Sequence, residues 1–381
     1  MPSLARFWTP LPCLLLVAAV LLMLAGLLGI DRSEDLAAGS GQFARQQLVW
    51  AGLALGAIIL TALPDYRRLA PWSYAIFGLG LVLLMAVYWF PPVNGAQRWF
   101  RAGPASFQPS EPIKVAFILA LARHLAWRPS AGWFGWLAIA LLVALLPMLL
   151  ILREPDLGTS LVFAPVLVAM LYVAGTRLAH LAMVACCAAA LMPVLWSQMS
   201  HEQRSRVASL FEQTAPGQRP AADGYQLHQS KQLIALGGVL GSYCSGEPSD
   251  DRTAYHLPES HTDFVFSVLG ERYGWPGMAL VLAMFALVAW RSIAIAEATR
   301  EPFGRLIATG VAALFVTEAA INTGMTTGLL PVTGLSLPLV SYGGSGMLAH
   351  AAAIGLVASV AMHPGYEVAP APFSRLACPP R

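Results

Sequence analysis

Leu257-Pro258-Glu259-Ser260-His261-Thr262-Asp263 runs directly into Phe264–Trp290, which reads FVFSVLGERYGWPGMALVLAMFALVAW. The second stretch decides the fold. At 1.5 Å per residue it is long enough to cross about 30 Å of hydrocarbon as a helix. The first stretch raises the question of function. Two carboxylates and a histidine at the mouth of a membrane helix are costly to place, and packing alone does not call for them.

The rest of the chain has the same character. It is 57% hydrophobic and 11% charged, with a mean hydropathy of +0.63, whereas a soluble domain carries about 25% charged residues. The apolar blocks predict an all-α fold, a polytopic membrane bundle of about ten helices in a single domain over residues 1–362. The expected spans are 11–30, 47–64, 72–90, 110–127, 133–152, 160–176, 178–197, 264–290, 306–328 and 338–362. The first follows a short basic start but has no small-residue cleavage site before Asp31, so an uncleaved helix is expected. A net charge of +3 is too small to suggest nucleic acid. Cys13, Cys186, Cys187, Cys244 and Cys378 form no disulfide framework.

Basic residues favour the cytoplasmic side. With the N-terminus inside, the inner segments hold Arg67, Arg68, Arg123, Arg128, Arg177, Arg291, Arg300 and Arg305 among others. The short outer segments hold Arg32, Arg45, Arg98, Arg101 and Arg153, a bias of about two to one that puts both termini in the cytoplasm. Residues 198–262 are then one large outer loop between the seventh and eighth spans, of a length that is usually functional. Within it, Tyr225–Gly241 alternates polar and apolar residues as an amphipathic helix does, either at the membrane interface or as a surface helix over the bundle. The proline-rich residues 363–381 predict a disordered cytoplasmic tail.

The unusual polarity gathers at the outer ends of the spans. It includes Asn94 to Trp99, Gln108-Pro109-Ser110-Glu111-Pro112, Arg153 to Thr159, Asn322-Thr323-Gly324, and Ser341-Tyr342-Gly343-Gly344-Ser345-Gly346. Ser110, Glu111 and Pro112 are what a helix start favours, a capping hydroxyl, a first-turn acid and a proline. Lys114 is different, because a cation there opposes the helix dipole; three residues from Glu111, it can pair with it. Thr262-Asp263 has a capping reading too, but capping does not require Glu259 or His261. Arg98 beside Trp99 suits an interfacial anchor, and Arg153, Glu154 and Asp156 suit a local ion-pair cluster. Ser345 and His350 are five apart and share a helical face poorly, which argues against a serine protease. Close backbone approach explains the glycines of that segment better.

Together these segments resemble the shape, elongation, division and sporulation (SEDS) family, the RodA/FtsW-type peptidoglycan polymerases. The resemblance rests on Gln108-Pro109-Ser110-Glu111 with Lys114, Tyr225-Gln226 with Gln229-Ser230, Pro258-Glu259 with His261-Thr262-Asp263-Phe264, Leu330 to Gly334, and Ser341 to Ser345. It implies glycosyl transfer on the outer face of the bacterial cytoplasmic membrane. The donor is a glycan on undecaprenyl pyrophosphate and the acceptor is the 4-hydroxyl of lipid II. It further implies Asp263 as the essential aspartate, with Glu111 and Lys114 as the family's Glu and Lys, and a class B penicillin-binding transpeptidase as partner.

The chemistry is consistent with that implication. Attack by a hydroxyl needs a carboxylate in hydrogen-bond reach, and Asp263 is the candidate base. Arg98, Lys114 and Arg204 or Arg206 are candidate cations for the leaving pyrophosphate, and Asp263 could instead hold Mg²⁺ or Mn²⁺. Gln108, Ser110, Glu259, His261, Thr262, Ser341, Gly343, Gly344 and Ser345 are candidate substrate-binding residues. The competing functions are a lipid II flippase or other transporter, for which Glu318 inside a span is the argument, and a non-catalytic scaffold for cell-wall machinery.

Overall fold

Apolar runs become helices because hydrocarbon leaves no other partner for backbone N–H and C=O groups. The computed structural model describes residues 12–37, 40–91, 97–102, 105–127, 133–186, 204, 222–246 and 257–363. The helices are α1 (Cys13–Leu36), α2 (Gln42–Ala62), α3 (Ser73–Ala86), α4 (Ser110–Ala126), α5 (Trp133–Arg153), α6 (Leu157–Val173), α7 (described over 178–186), α8 (Ala222–Gly237), α9 (Ser242–Ser245), α10 (Val265–Ala298), α11 (Pro302–Thr327) and α12 (Gly344–Met362). Among the described residues, seven helices are long and apolar enough to span a membrane. They match the first, second, third, fifth, eighth, ninth and tenth expected spans. α4 and α6 occupy the fourth and sixth. The seventh is described only to residue 186. About half of the 198–262 loop and all of the 363–381 tail beyond His363 lie outside the described residues.

α11 is the axis of the bundle and packs against α4, α6, α10 and α12. Burial separates core helices from peripheral ones. Of the apolar stretch of α12, 72% is buried, against 17% for α2. Small residues make the α12–α2 contact close: Gly355 lies against Ile58 and Thr61, and Thr61 Oγ1 donates to Ala352 O across the interface at 3.2 Å.

Several boundaries differ from expectation, among them the end of α1 at Leu36 and the start of α2 at Gln42. The final helix begins at Gly344 instead of 338, because residues 335–343 form a turn whose backbone serves the site. The eighth span continues to Ala298 and kinks at Gly274, where φ is +61°, with Pro276 two residues on. There Trp275 N donates to Val239 O at 3.2 Å, and Gly241 approaches the Gly274 backbone too closely for a side chain. Between α3 and α4 a hairpin pairs β1 (Phe100–Ala102) antiparallel with β2 (Ala105–Phe107), aligning Phe100 with Phe107. The loop segment expected as an amphipathic helix is α8. It docks on the bundle: Leu227 and Leu233 are buried, and Ser230 Oγ bonds Ser267 Oγ at 2.7 Å and Thr326 O at 2.8 Å.

Candidate active site

Glu111 and Lys114 sit on one face of the first turns of α4. Lys114 Nζ lies 3.0 Å from Glu111 Oε1 and 2.5 Å from Glu318 Oε1 on α11. Glu318 Oε2 lies 2.5 Å from His350 Nε2 on α12, and His350 Nδ1 is 2.7 Å from Gly346 O. His350 Nδ1 also comes within 3.9 Å of Glu111 Oε2, which closes a four-residue ring. Relative exposures are 4% for Glu111, 2% for Lys114, 0% for Glu318 and 2% for His350. A carbonyl oxygen only accepts, so Nδ1 carries a hydrogen, and Nε2 shares one with Glu318. With that proton on the ring, two anions face two cations. The tetrad is then electroneutral, which is how buried charges persist at all. Glu111 Oε2 also lies 3.0 Å from Lys114 Nζ and faces Gly346.

Asp263 belongs to the turn before α10. Its N–H donates to Glu259 O at 3.1 Å, and Thr262 Oγ1 donates to the same carbonyl at 3.1 Å. α10 starts at Val265 with Phe264 at its N-cap, so Asp263 lies before the first turn and not in it. Its carbonyl accepts from Asn322 Nδ2 at 2.8 Å, and the same amide donates to Leu335 O at 2.7 Å. One Asn322 side chain on α11 thus pins both the Asp263 turn and the 335–343 turn. The Asp263 carboxylate lies beside Gly334, 3.4 Å from where a β-carbon would stand. Asn322 and Glu318 are four residues apart on one face of α11, about 6 Å along its axis. The aspartate turn and the buried tetrad therefore share one neighbourhood.

The remaining predicted residues surround these two groups. His261 O accepts from Tyr342 N at 2.9 Å, and the His261 ring stacks on Phe43 with centroids 4.3 Å apart. Burial lowers the His261 pKa against the opposing pull of Glu259 and Glu34, so its ring is neutral near pH 7. Glu259 is exposed, with φ +52°. Gln108 N donates to Ser345 Oγ at 3.0 Å, tying the hairpin to the start of α12. Ser341 Oγ accepts from Leu337 N at 2.8 Å, and Gln47 Nε2 donates to Ser341 O at 3.2 Å. Gly343 O accepts from Met347 N, and Gly344 lies against the Trp50 indole. A cavity of about 310 Å³ opens beside the aspartate turn, lined by Ser33, Glu34, Phe43, Glu259 and His261 among others.

Several side chains sit differently from expectation. Pro109, not Ser110, occupies the N-cap position of α4, and the Ser110 hydroxyl is buried with no hydrogen-bond partner. Arg98, not Arg153, holds the turn before α6: it donates to Glu154 O at 2.8 Å and Pro155 O at 2.5 Å, and lies 3.8 Å from Asp156 Oδ2. Arg153 lies over the Tyr88 ring instead. Asp156 caps α6 through Thr159 N at 3.1 Å. Glu154, 1% exposed with neither carboxylate oxygen hydrogen-bonded, has its pKa pushed up to about 8 by burial and by neighbouring Asp156. Arg206 and Asn94 to Ala96 lie outside the described residues. Among the described residues no three His, Cys, Asp or Glu side chains converge as metal ligands.

The sequence did not single out Arg32 and Glu271. They form a buried bidentate pair between α1 and α10, at 3.0 Å from Nε and 2.8 Å from Nη2. Neither their spacing nor their separation of 239 positions signals it. Asn322 and His350 carried weak signals, a polar residue at a helix end and a histidine inside a span.

The sequence profile of the FtsW, RodA and SpoVE family, described as "Cell cycle protein", matches residues 8–366. The chain is 34% identical over 377 residues to the peptidoglycan glycosyltransferase MrdB of Escherichia coli, covering 95% of this chain and 97% of that protein. It is 33% identical over 343 residues to a probable peptidoglycan glycosyltransferase FtsW of Trichlorobacter lovleyi, covering 86% and 85%. A solved structure described as "Structural coordination of polymerization and crosslinking by a peptidoglycan synthase complex" superposes with a TM-score of 0.78 at 31% identity, covering 93% of this chain and 98% of that one.

Proposed function

We propose that this chain, which belongs to the FtsW/RodA/SpoVE family, polymerises peptidoglycan glycan strands, with Asp263 as the general base. The acceptor is the sugar 4-hydroxyl of lipid II, and the donor is a glycan on undecaprenyl pyrophosphate. Asp263 takes the hydroxyl proton as the oxygen attacks the donor's anomeric carbon. The bond from that carbon to the pyrophosphate oxygen breaks, and the lipid diphosphate leaves with the electron pair. The observation that carries this reading is Asn322, which fixes the Asp263 turn one helical turn from the Glu111–Lys114–Glu318–His350 ring.

Glu111 is a second carboxylate at the site, with both oxygens 3.0 Å from Lys114 Nζ. Lys114 is held between two carboxylates and 2% exposed, so it acts through Glu111 and not on the diphosphate directly. The aromatic and polar cavity beside His261 suits a sugar of the acceptor or donor. Among the described residues no ligand set for Mg²⁺ or Mn²⁺ gathers at Asp263, which leaves the carboxylate to act as the base. The distribution of basic residues supports an outer-face site in the bacterial cytoplasmic membrane with both termini inside. A class B penicillin-binding transpeptidase fits as partner, since polymerised glycan must be cross-linked, and the similar structure described as a synthase complex supports that.

Asp263→Asn tests the reading. The purified variant should fold and bind lipid II yet lose polymerisation by about 10²-fold or more. Polymer formed at the wild-type rate by this variant would remove Asp263 from the chemistry. A wild type that moves lipid II across vesicles without joining it would make the chain a transporter.

A further inference from the structure

Glu318 and His350 lie outside every residue the proposed chemistry uses, and both are buried inside the bundle. We propose that they are positioning residues: a charge clamp that sets where Lys114 sits, and through it the orientation of Glu111. This rests on the polymerase reading above.

The argument is one of geometry and charge. Glu318 splits its carboxylate, one oxygen 2.5 Å from Lys114 Nζ and the other 2.5 Å from His350 Nε2. It is the only link between the lysine and the histidine among the described hydrogen bonds. His350 is oriented in turn by the Gly346 carbonyl at 2.7 Å, and its ring packs edge-on against Phe315. The charged groups facing His350 are Glu318 from α11 and Glu111 from α4, with Lys114 behind them. Lys114 Nζ lies 3.0 Å from each oxygen of Glu111 and 2.5 Å from Glu318 Oε1, so Glu318 holds the ammonium against the Glu111 carboxylate from the far side. The clamp therefore fixes the Glu111 carboxylate on a lysine that cannot swing away from it. A histidine that served packing alone would not need a carboxylate at one nitrogen and a carbonyl at the other.

Lipid II polymerisation by the purified full-length protein, with kcat and KM determined separately, tests this. His350→Gln removes the ring that holds Glu318 Oε2 and leaves Glu318 anchored by Lys114 alone. The expected result is a kcat lower by on the order of tenfold to a hundredfold, as for other groups that orient a reacting side chain, with KM for lipid II unchanged. Adding Glu318→Gln in the same chain should cost little further kcat, because His350 acts on Lys114 through Glu318. Independent structural roles would instead make the two single losses multiply. Either a folded His350→Gln with wild-type kcat, or a double variant in which the two single losses multiply, overturns the clamp. An altered KM with constant kcat overturns it as well. If His350→Gln does not fold, Glu318→Gln alone carries the test, and a wild-type kcat in it overturns the clamp. Failure of the wild type to polymerise would instead sink the polymerase reading, and the clamp with it.

Discussion

Two ionic networks stand at opposite ends of this bundle and are built to different rules. At the end away from Asp263, Arg67 bonds Asp65 at 3.0 Å, Glu301 at 3.2 Å and the His363 carbonyl at 3.1 Å. Tyr66 adds a hydroxyl bond to Glu301. Its charged side chains are 28–32% exposed. Burial would raise the Asp65 pKa, but the Arg67 main-chain N–H and guanidinium outweigh it and hold the carboxyl below its usual range. Such a network fastens helix ends where water still reaches them. The Glu111–Lys114–Glu318–His350 ring has side-chain exposures of 0–5%. Removing ions from water costs several kcal/mol each, and hydrophobic residues would fill the same volume more cheaply. One network follows from topology. The other is retained at a cost in stability, which is what a site requires.

The sharpest way to break that contrast is Lys114→Ala. It leaves Glu111 and Glu318 facing one another with no ammonium between them, and should destabilise the protein by about 3–5 kcal/mol. Thermal unfolding of the detergent-purified protein measures it. A shift as small as an exposed pair gives would mean that the ring is no more than a surface fastening turned inward.

Next in size is Glu154→Gln at the turn before α6. Glu154 has its folded pKa raised to about 8 by burial, above the usual carboxylate value of about 4.3 in the unfolded chain. A raised pKa means that the folded state holds a proton the unfolded state gives up. Full stability therefore holds below about pH 4, falls as pH rises, and levels off above about pH 8. Glutamine cannot titrate, so the variant should match the wild type near pH 5 and exceed it by about 1–3 kcal/mol near pH 8. Parallel melting curves for the two proteins from pH 5 to 8 would show that Glu154 is ionised in the folded state.

These two cases also show what the sequence could reveal. Helical spans were legible because hydropathy is a local property, and Asp263, Glu111 and Lys114 stood out as charges where a membrane disfavours them. Glu318 stood out too, as the charge that suggested transport, but its partners are 204 and 32 positions away. Helical spacing relates His350 only to residues of its own helix such as Ser345, whereas its partner Glu318 is on another. The hairpin before α4 was hidden because Phe100–Ala102 and Ala105–Phe107 are only three residues each, too short for a periodic pattern. Arg98 looked like a membrane anchor because nothing local announces three acceptors on the turn at 154–156.

Gly346→Ala isolates position from stability. A β-carbon there would stand 3.1 Å from Glu111 Oε2, so the carboxylate must shift by a few tenths of an ångström. Gly346 lies within α12, where alanine is favoured over glycine by about 1 kcal/mol, which offsets the crowding. The expected result is an unchanged melting temperature with polymerisation slowed severalfold. Unchanged rates would detach the orientation of Glu111 from the reaction.

The smallest effect belongs to the opposite end. Arg67→Ala removes bonds to Asp65, Glu301 and His363 at once, yet its partners stay hydrated after the loss. Exposed pairs of this kind contribute about 0–1 kcal/mol, and the Debye length falls from about 10 Å at 0.1 M salt to about 3 Å at 1 M. The wild-type and Arg67→Ala melting temperatures should therefore differ by a few degrees at low salt and converge as salt is added, while lipid II polymerisation stays at the wild-type rate. A large, salt-independent loss would show that this end is also built as a dry ionic core, and the distinction between fastening and site would then rest on Asp263 alone.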